Sequence, residues 1–106
     1  MVEETKAEEI KKITQQVIWD KAATEQLQEI YFHLKDNVDE NTADKVIYSI
    51  LNTTENLAEE PEIYSLDRFK SDNDDTYFAV EKHNYRISYQ VLKFQIRILK
   101  IRYRSK

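Results

Sequence analysis

The chain has 106 residues, 41% hydrophobic and 34% charged, enough for one buried core and too few for two. It contains no glycine and no cysteine. That excludes a glycine-rich phosphate loop, a dinucleotide fingerprint, a disulfide framework, a thiolate metal site and a cysteine nucleophile. The formal net charge of −4 conceals a segregation. Residues 1–81 carry 8 Lys+Arg against 20 Asp+Glu, a net of −12, whereas residues 82–106 carry eight cations and no acid. An acidic body with a basic C-terminal quarter points to a polyanion or an acidic partner, or to a solvated basic edge that balances acidic helices.

The two histidines, His33 and His83, have no second ligand at metal-like spacing, so neither a metal nor another cofactor is expected. The opening, MVEETKAEE, is polar and acidic, unlike a secretory signal. No apolar run approaches the ~18 residues of a membrane span. The expectation is a soluble protein of a reducing cytoplasm.

Residues 1–11 carry only Val2 and Ile10 as large aliphatics, too few to offset the entropy of ordering, so they read as a flexible extension ahead of a single domain over 12–106. Lys12–Trp19 is the first strand candidate, with Ile13, Val17 and Trp19 on one parity and Trp19 as a core anchor. Asp20 stands where a helix N-cap belongs. Ala23, Leu27, Ile30, Tyr31 and Leu34 then form one helical stripe, and Asn37 is placed to close the helix in a left-handed conformation. Asn41 or Thr42 is expected to cap a second helix, with Asp44 in its first turn. Its stripe runs through Ala43, Val46, Ile47, Ile50, Leu51, Leu57 and Ala58, with Thr54 filling one turn, and Pro61 stops it. Two amphipathic helices about five residues apart fold back as an antiparallel hairpin.

Ile63, Tyr64, Leu66 and Phe69 are expected to tuck the following connection onto the core, before a polar turn at residues 71–75. Three strands follow: Thr76–Lys82, then a His83-Asn84 turn, Tyr85–Val91, and Gln95–Arg102. The middle strand alternates throughout, with Tyr85, Ile87, Tyr89 and Val91 on one side and Arg86, Ser88 and Gln90 on the other. The last shifts phase between Ile98 and Leu99, which implies a bulge or burial on both faces. Tyr31, Tyr48, Tyr85 and Tyr89 all have core parity. The fold class is therefore α+β, in the order β-α-α-β-β-β, with a helical hairpin on one face of a small, twisted, mostly antiparallel sheet. The other face would be polar and positive, a candidate polyanion surface.

Three stretches, IWDKAATEQLQEIYFHL, VIYSILNTTENLAEEP and HNYRISYQVLKFQIRILKIRYR, together resemble the RelE/ParE superfamily of bacterial type II toxins, which includes plasmid-stabilising modules. The resemblance covers roughly residues 13–104. It rests on an A-x3-L-x2-IY helix, an L-x3-P ending of the second helix, a YRI-x-Y strand and an I-x-IL-x-I-x-x-R last strand. It implies a small toxin neutralised by a cognate antitoxin that wraps it with an extended, partly disordered segment. RelE-like members cleave mRNA in the ribosomal A site, and ParE-like members poison DNA gyrase.

The resemblance places Arg86 where the superfamily puts a phosphate-stabilising arginine, and Arg104 at a second basic position. His83 becomes an acid–base candidate if it reaches the concave face. Lys82, Arg86, Lys100, Arg102 and Arg104 form the candidate binding set. Two departures weigh against RNA cleavage. The strand before YRI-x-Y reads Tyr77-Phe78-Ala79-Val80 where nuclease members carry lysines, and no Tyr or His-Tyr ending follows Arg104. The leading expectation is a toxin that binds gyrase. A ribosome-dependent endoribonuclease and a non-toxic interaction domain are the alternatives.

Overall fold

The computed structural model describes residues 15–61 and 64–104. The expected extension at 1–11, the beginning of the first strand at 12–14, and Ile63 lie outside the described residues.

β1 (Gln16–Trp19) is short because Asp20 turns the chain directly into α1 (Lys21–Asn37). Asp20 occupies the N-cap position, but its side chain makes no cap bond. Its Oδ1 instead accepts from Arg97 Nη2 at 2.6 Å and Nε at 3.1 Å. A guanidinium competes successfully with helix N–H groups for a carboxylate, because that bond is charge-assisted at both ends. At the far end Asn37 is not left-handed. Its amide donates to the His33 carbonyl at 2.8 Å, and Val38 N–H closes the turn on Leu34 at 2.8 Å.

α2 (Glu40–Asn56) begins after only Val38 and Asp39. The cap is Asp39, whose Oδ1 accepts from Thr42 N–H at 2.6 Å. Asn41 and Thr42 therefore lie inside the helix, and the acid of the first turn is Glu40, not Asp44. The bond to Thr42 holds the Asp39 carboxyl below its ordinary range. α2 also ends five residues before Pro61. Thr53 and Thr54 donate their hydroxyls to the carbonyls of Ser49 and Leu51, and Leu57 N–H falls back on Thr54 at 3.2 Å. Such back-bonding, with tightening to an i–3 turn, unwinds the helix before the proline is reached.

A two-residue strand β2 (Ser65–Leu66) precedes β3 (Tyr77–Lys82), β4 (Tyr85–Val91) and β5 (Gln95–Tyr103). The sheet order is β1-β5-β4-β3-β2, antiparallel except for β1, which runs parallel to β5. β4 has the bounds that its alternation dictates. The phase break in β5 is a bulge: Tyr89 faces Ile98 and Ser88 faces Lys100, leaving Leu99 as the extra residue. Ile96, Ile98 and Ile101 thereby all reach the core despite the odd spacing.

α1 packs on both α2 and β5. The core joins Ala23, Ile30, Ile50 and Leu57 of the helical layer to Phe78, Val80, Tyr85, Ile87, Tyr89, Ile96, Ile98 and Ile101 of the sheet. Trp19 packs against it as a half-buried anchor. Each fully buried aliphatic here contributes about 1.5–3 kcal/mol of transfer free energy. Tyr89 is fully buried and donates its hydroxyl to the Pro61 carbonyl at 3.1 Å, tying the α2–β2 connection to the sheet. Tyr64 packs on the core as expected, but Leu66 and Phe69 are exposed, and so is Tyr48 at 72%.

Candidate functional site

Strand pairing sets which cations share a side. Phe78, Val80, Tyr85, Ile87 and Tyr89 face the helices, so the alternate residues Tyr77, Ala79, Glu81, Arg86, Ser88 and Gln90 face away from them. Across the β4–β5 ladder Ser88 pairs with Lys100 and Arg86 with Arg102, placing these four on the open face. Lys82 pairs with Tyr85 and belongs to the helix side. It is separated from the other members of the candidate set.

The β3–β4 hairpin closes through His83 and Asn84, with φ of 51° and 68°. Two consecutive left-handed residues fit the strand twist at a two-residue turn. In a chain without glycine, asparagine and histidine are among the residues that bear this conformation best. His83 thus sits exposed at the tip of a turn, not against the arginines. The same turn sets Arg104, whose N–H donates to the Asn84 carbonyl at 2.6 Å.

Arg86 and Arg104 are brought together by an acid. Glu81 Oε1 lies 3.3 Å from Arg104 Nη1, and its Oε2 lies 3.9 Å from Arg86 Nη1. Arg86 Nη2 also meets Asp67 Oδ1 at 2.5 Å, with side-chain exposures of 20% for the arginine and 10% for the aspartate. Phe69 covers the guanidinium, its ring centroid 4.7 Å from Arg86 Cζ. Two cations and two carboxylates therefore form a quartet of zero net charge. The side chains of Lys100 and Arg102 have no ion pair or hydrogen bond among the described residues, and with Asp67, Phe69, Arg86 and Ser88 they line an open cleft of about 490 Å³. Arg97, on the same strand, is taken by Asp20.

Asp67 and Glu81 were not among the residues picked out by sequence, and Phe69 was assigned to the core and not to the site. Their signal was faint: Asp67 is the one acid in YSLDRFK, and Glu81 holds open-face parity in its strand. No group of three or more His, Cys, Asp or Glu able to hold a metal occurs among the described residues, and no helix there is long and apolar enough to cross a membrane.

A second opening of about 600 Å³ lies between α1 and the end of β5, lined by Gln26, Ile30, Leu34, Tyr85, Ile101 and Tyr103 among others. β1 stops at the level of Ile98, so among the described residues the rest of β5 has no strand on that side. Gln26 Oε1 accepts the Ile101 N–H there at 2.7 Å. Tyr103 is 65% exposed and meets Tyr85 edge-on at 5.4 Å. Burial, with Tyr103 adding to it, raises the Tyr85 phenol above its ordinary value.

The sequence profile of the ParE toxins of type II toxin–antitoxin systems (parDE) matches residues 17–106. The chain belongs to the ParE toxin family. No curated protein sequence matches it. Among solved structures, this ParE-family chain is similar to one from the chromosomal ParDE system of P. aeruginosa, with 18% identity, a TM-score of 0.71, and coverage of 87% of this chain and 98% of that one. It is also similar to a chain of the RelBE2 toxin–antitoxin complex of Mycobacterium tuberculosis, at 15% identity and TM-score 0.59, covering 83% and 95% of the two chains. The YoeB dimer of Staphylococcus aureus follows at 17% and 0.57, covering 85% and 97%. At these identities the likeness is one of fold: the two-helix layer on a mixed sheet is the RelE/ParE toxin architecture.

Proposed function

We propose that this chain is a toxin that acts by binding DNA gyrase, that a cognate antitoxin holds it inactive, and that it works in the bacterial cytoplasm without a cofactor. The observation that carries the reading is the compensated quartet. Cleavage of RNA by attack of a 2′-hydroxyl needs a proton acceptor, a proton donor and cations free to meet charge developing on phosphate. Here Arg86 and Arg104 are spent on Asp67 and Glu81. Asp67 Oδ1 already accepts from Arg86 and from Phe69 N–H, and His83 stands on the turn. Such a site suits recognition better than turnover.

The antitoxin reading is supported by family membership and by the opening between α1 and β5, where exposed Tyr103 and the side of β5 that no described strand covers offer both a hydrophobic anchor and main-chain groups. Induced expression tests the target. Gyrase-trapped DNA breaks and a damage response, with intact translated mRNA by primer extension, are expected. Discrete A-site cuts in translated mRNA would establish the endoribonuclease instead. Absence of any growth defect would leave the non-toxic interaction domain.

A further inference from the structure

The cleft on the open sheet face has the makings of a phosphodiester site, yet the Arg86 guanidinium that borders it is already paired from within. Four cations, Lys70, Arg86, Lys100 and Arg102, border it beside Ser88. Arg86 and Arg102 are directly opposite across two strands, where like charges repel. A pair of guanidinium groups so placed, open to water, would attract the oxygens of a polyanion. What occupies the Arg86 fork is the Asp67 carboxylate, an oxygen acceptor of the same kind.

The cover is a built structure. Asp67 turns the chain by accepting Phe69 N–H at 3.0 Å, which lays the Phe69 ring over Arg86. Asn73 then closes the segment between β2 and β3. Its amide donates to the Asp67 carbonyl at 3.3 Å and the Tyr77 carbonyl at 2.9 Å, and its Oδ1 accepts from Asp75 N–H at 2.9 Å and Tyr77 N–H at 3.3 Å. Asp74 fixes the exit through Thr76. Asp67 and Phe69 are therefore held over Arg86 before any ligand arrives, so a competing phosphate gains no entropy advantage from displacing them.

We infer that Asp67 and Phe69 are specificity-determining residues that act as a resident anion and its lid, closing the Arg86 cleft to single-stranded nucleic acid. This rests on the reading that the chain does not act on RNA. It adds which residues exclude it. Freeing one cation should steepen the dependence of log K on log salt by about 0.7 for a single strand, which at 50 mM salt amounts to roughly eightfold in affinity.

The probe is a fluorescein-labelled single-stranded RNA 12-mer, titrated by anisotropy across salt, with folding checked by circular dichroism. Asp67→Asn, which preserves shape and the bond from Phe69, is expected to bind about eightfold tighter than the unmodified chain, with the steeper slope. Phe69→Ala, at a side chain 69% exposed, should gain in the same direction and keeps the test in hand if Asp67→Asn folds poorly. Asp67→Asn with Arg86→Gln should lose the gain. Asp44→Asn, the same charge change on exposed α2, should not show it. Variants that bind as the unmodified chain does, or a gain that survives Arg86→Gln or appears in Asp44→Asn, would overturn the assignment. Tight binding by the unmodified chain would also overturn it. Only cleavage of the probe on ribosomes would in addition defeat the reading of the target.

Discussion

The Arg86–Asp67 pair predicts a large and specific coupling. Removing one partner of a fully buried ion pair costs about 3–5 kcal/mol, chiefly through the charge left behind. Here the side chains retain 20% and 10% exposure, Asp67 would keep the Phe69 N–H, and Arg86 would keep Glu81 at 3.9 Å. Each single substitution, Arg86→Met or Asp67→Leu, should therefore cost less, about 2 kcal/mol. For a domain of this size that lowers the melting temperature by about 10 °C. The double variant replaces two charges by apolar groups of similar reach and should lie within about 1 kcal/mol of the parent. With the double variant that close to the parent, the two single costs leave a coupling of about 3–4 kcal/mol in the thermodynamic cycle, read by urea and thermal unfolding followed in the far ultraviolet. Additive single effects, with a coupling under about 0.5 kcal/mol, would show that the pair is a surface contact and that the cover over the cleft is not anchored by it.

Deleting Leu99 should leave a folded protein, since Ile96, Ile98 and Ile101 then alternate without a bulge. Inserting one alanine after Lys100 should unfold it by turning Ile101 outward, and nitrogen–proton correlation spectra distinguish the two. Tyr85 should ionise above the ordinary tyrosine value in an absorbance titration at 295 nm, and Tyr103→Phe should move it back toward that value. Because its folded-state value is raised, the stabilisation it reflects is complete below pH 10 and is lost as pH rises through the folded value. The lowered Asp39 value works oppositely: its contribution is present above about pH 4 and fades as pH falls through the folded value, an acid sensitivity that Asp39→Ala should reduce in melting curves against pH. Replacing His83-Asn84 by Asn-Gly should raise stability by about 1 kcal/mol through relief of left-handed strain, and toxicity should be unchanged because His83 is not in the site.

Periodicity made the layered fold legible. Tyr85–Val91 alternates without exception, and the phase shift at Ile98-Leu99 announced a bulge, because a strand can bury two sets of parities only by inserting a residue. Local competition was less legible. Asp20 has cap chemistry, but a guanidinium 77 residues away claims it. Asp39 was overlooked because Asn41 and Thr42 have the same chemistry two and three residues on. Pro61 was given a stop that two threonines had already made. β2 pairs only two residues, too few to leave a pattern. In the site, the cations were visible as a run without acids, and their neutralisation was not. Asp67 and Glu81 come from other strands or loops, and charge pairing across a sheet has no signature in local sequence.

That neutralisation changes how loss of function at Arg86 must be read. Arg86 faces Arg102 across the ladder, an arrangement that is unfavourable in isolation and tolerable because Asp67 and Glu81 flank it. Its guanidinium also holds the residue that bends the chain beneath Phe69. Arg86→Ala therefore removes a candidate binding group and an anchor of the 67–76 segment at once. A toxin weakened by that change is evidence for neither catalysis nor direct contact with a target. Paired variants separate the effects. If Arg86→Met with Asp67→Leu restores stability but not toxicity, the guanidinium itself meets the target. If toxicity returns with stability, the face acts through its shape and through the cations that remain uncompensated, Lys100 and Arg102.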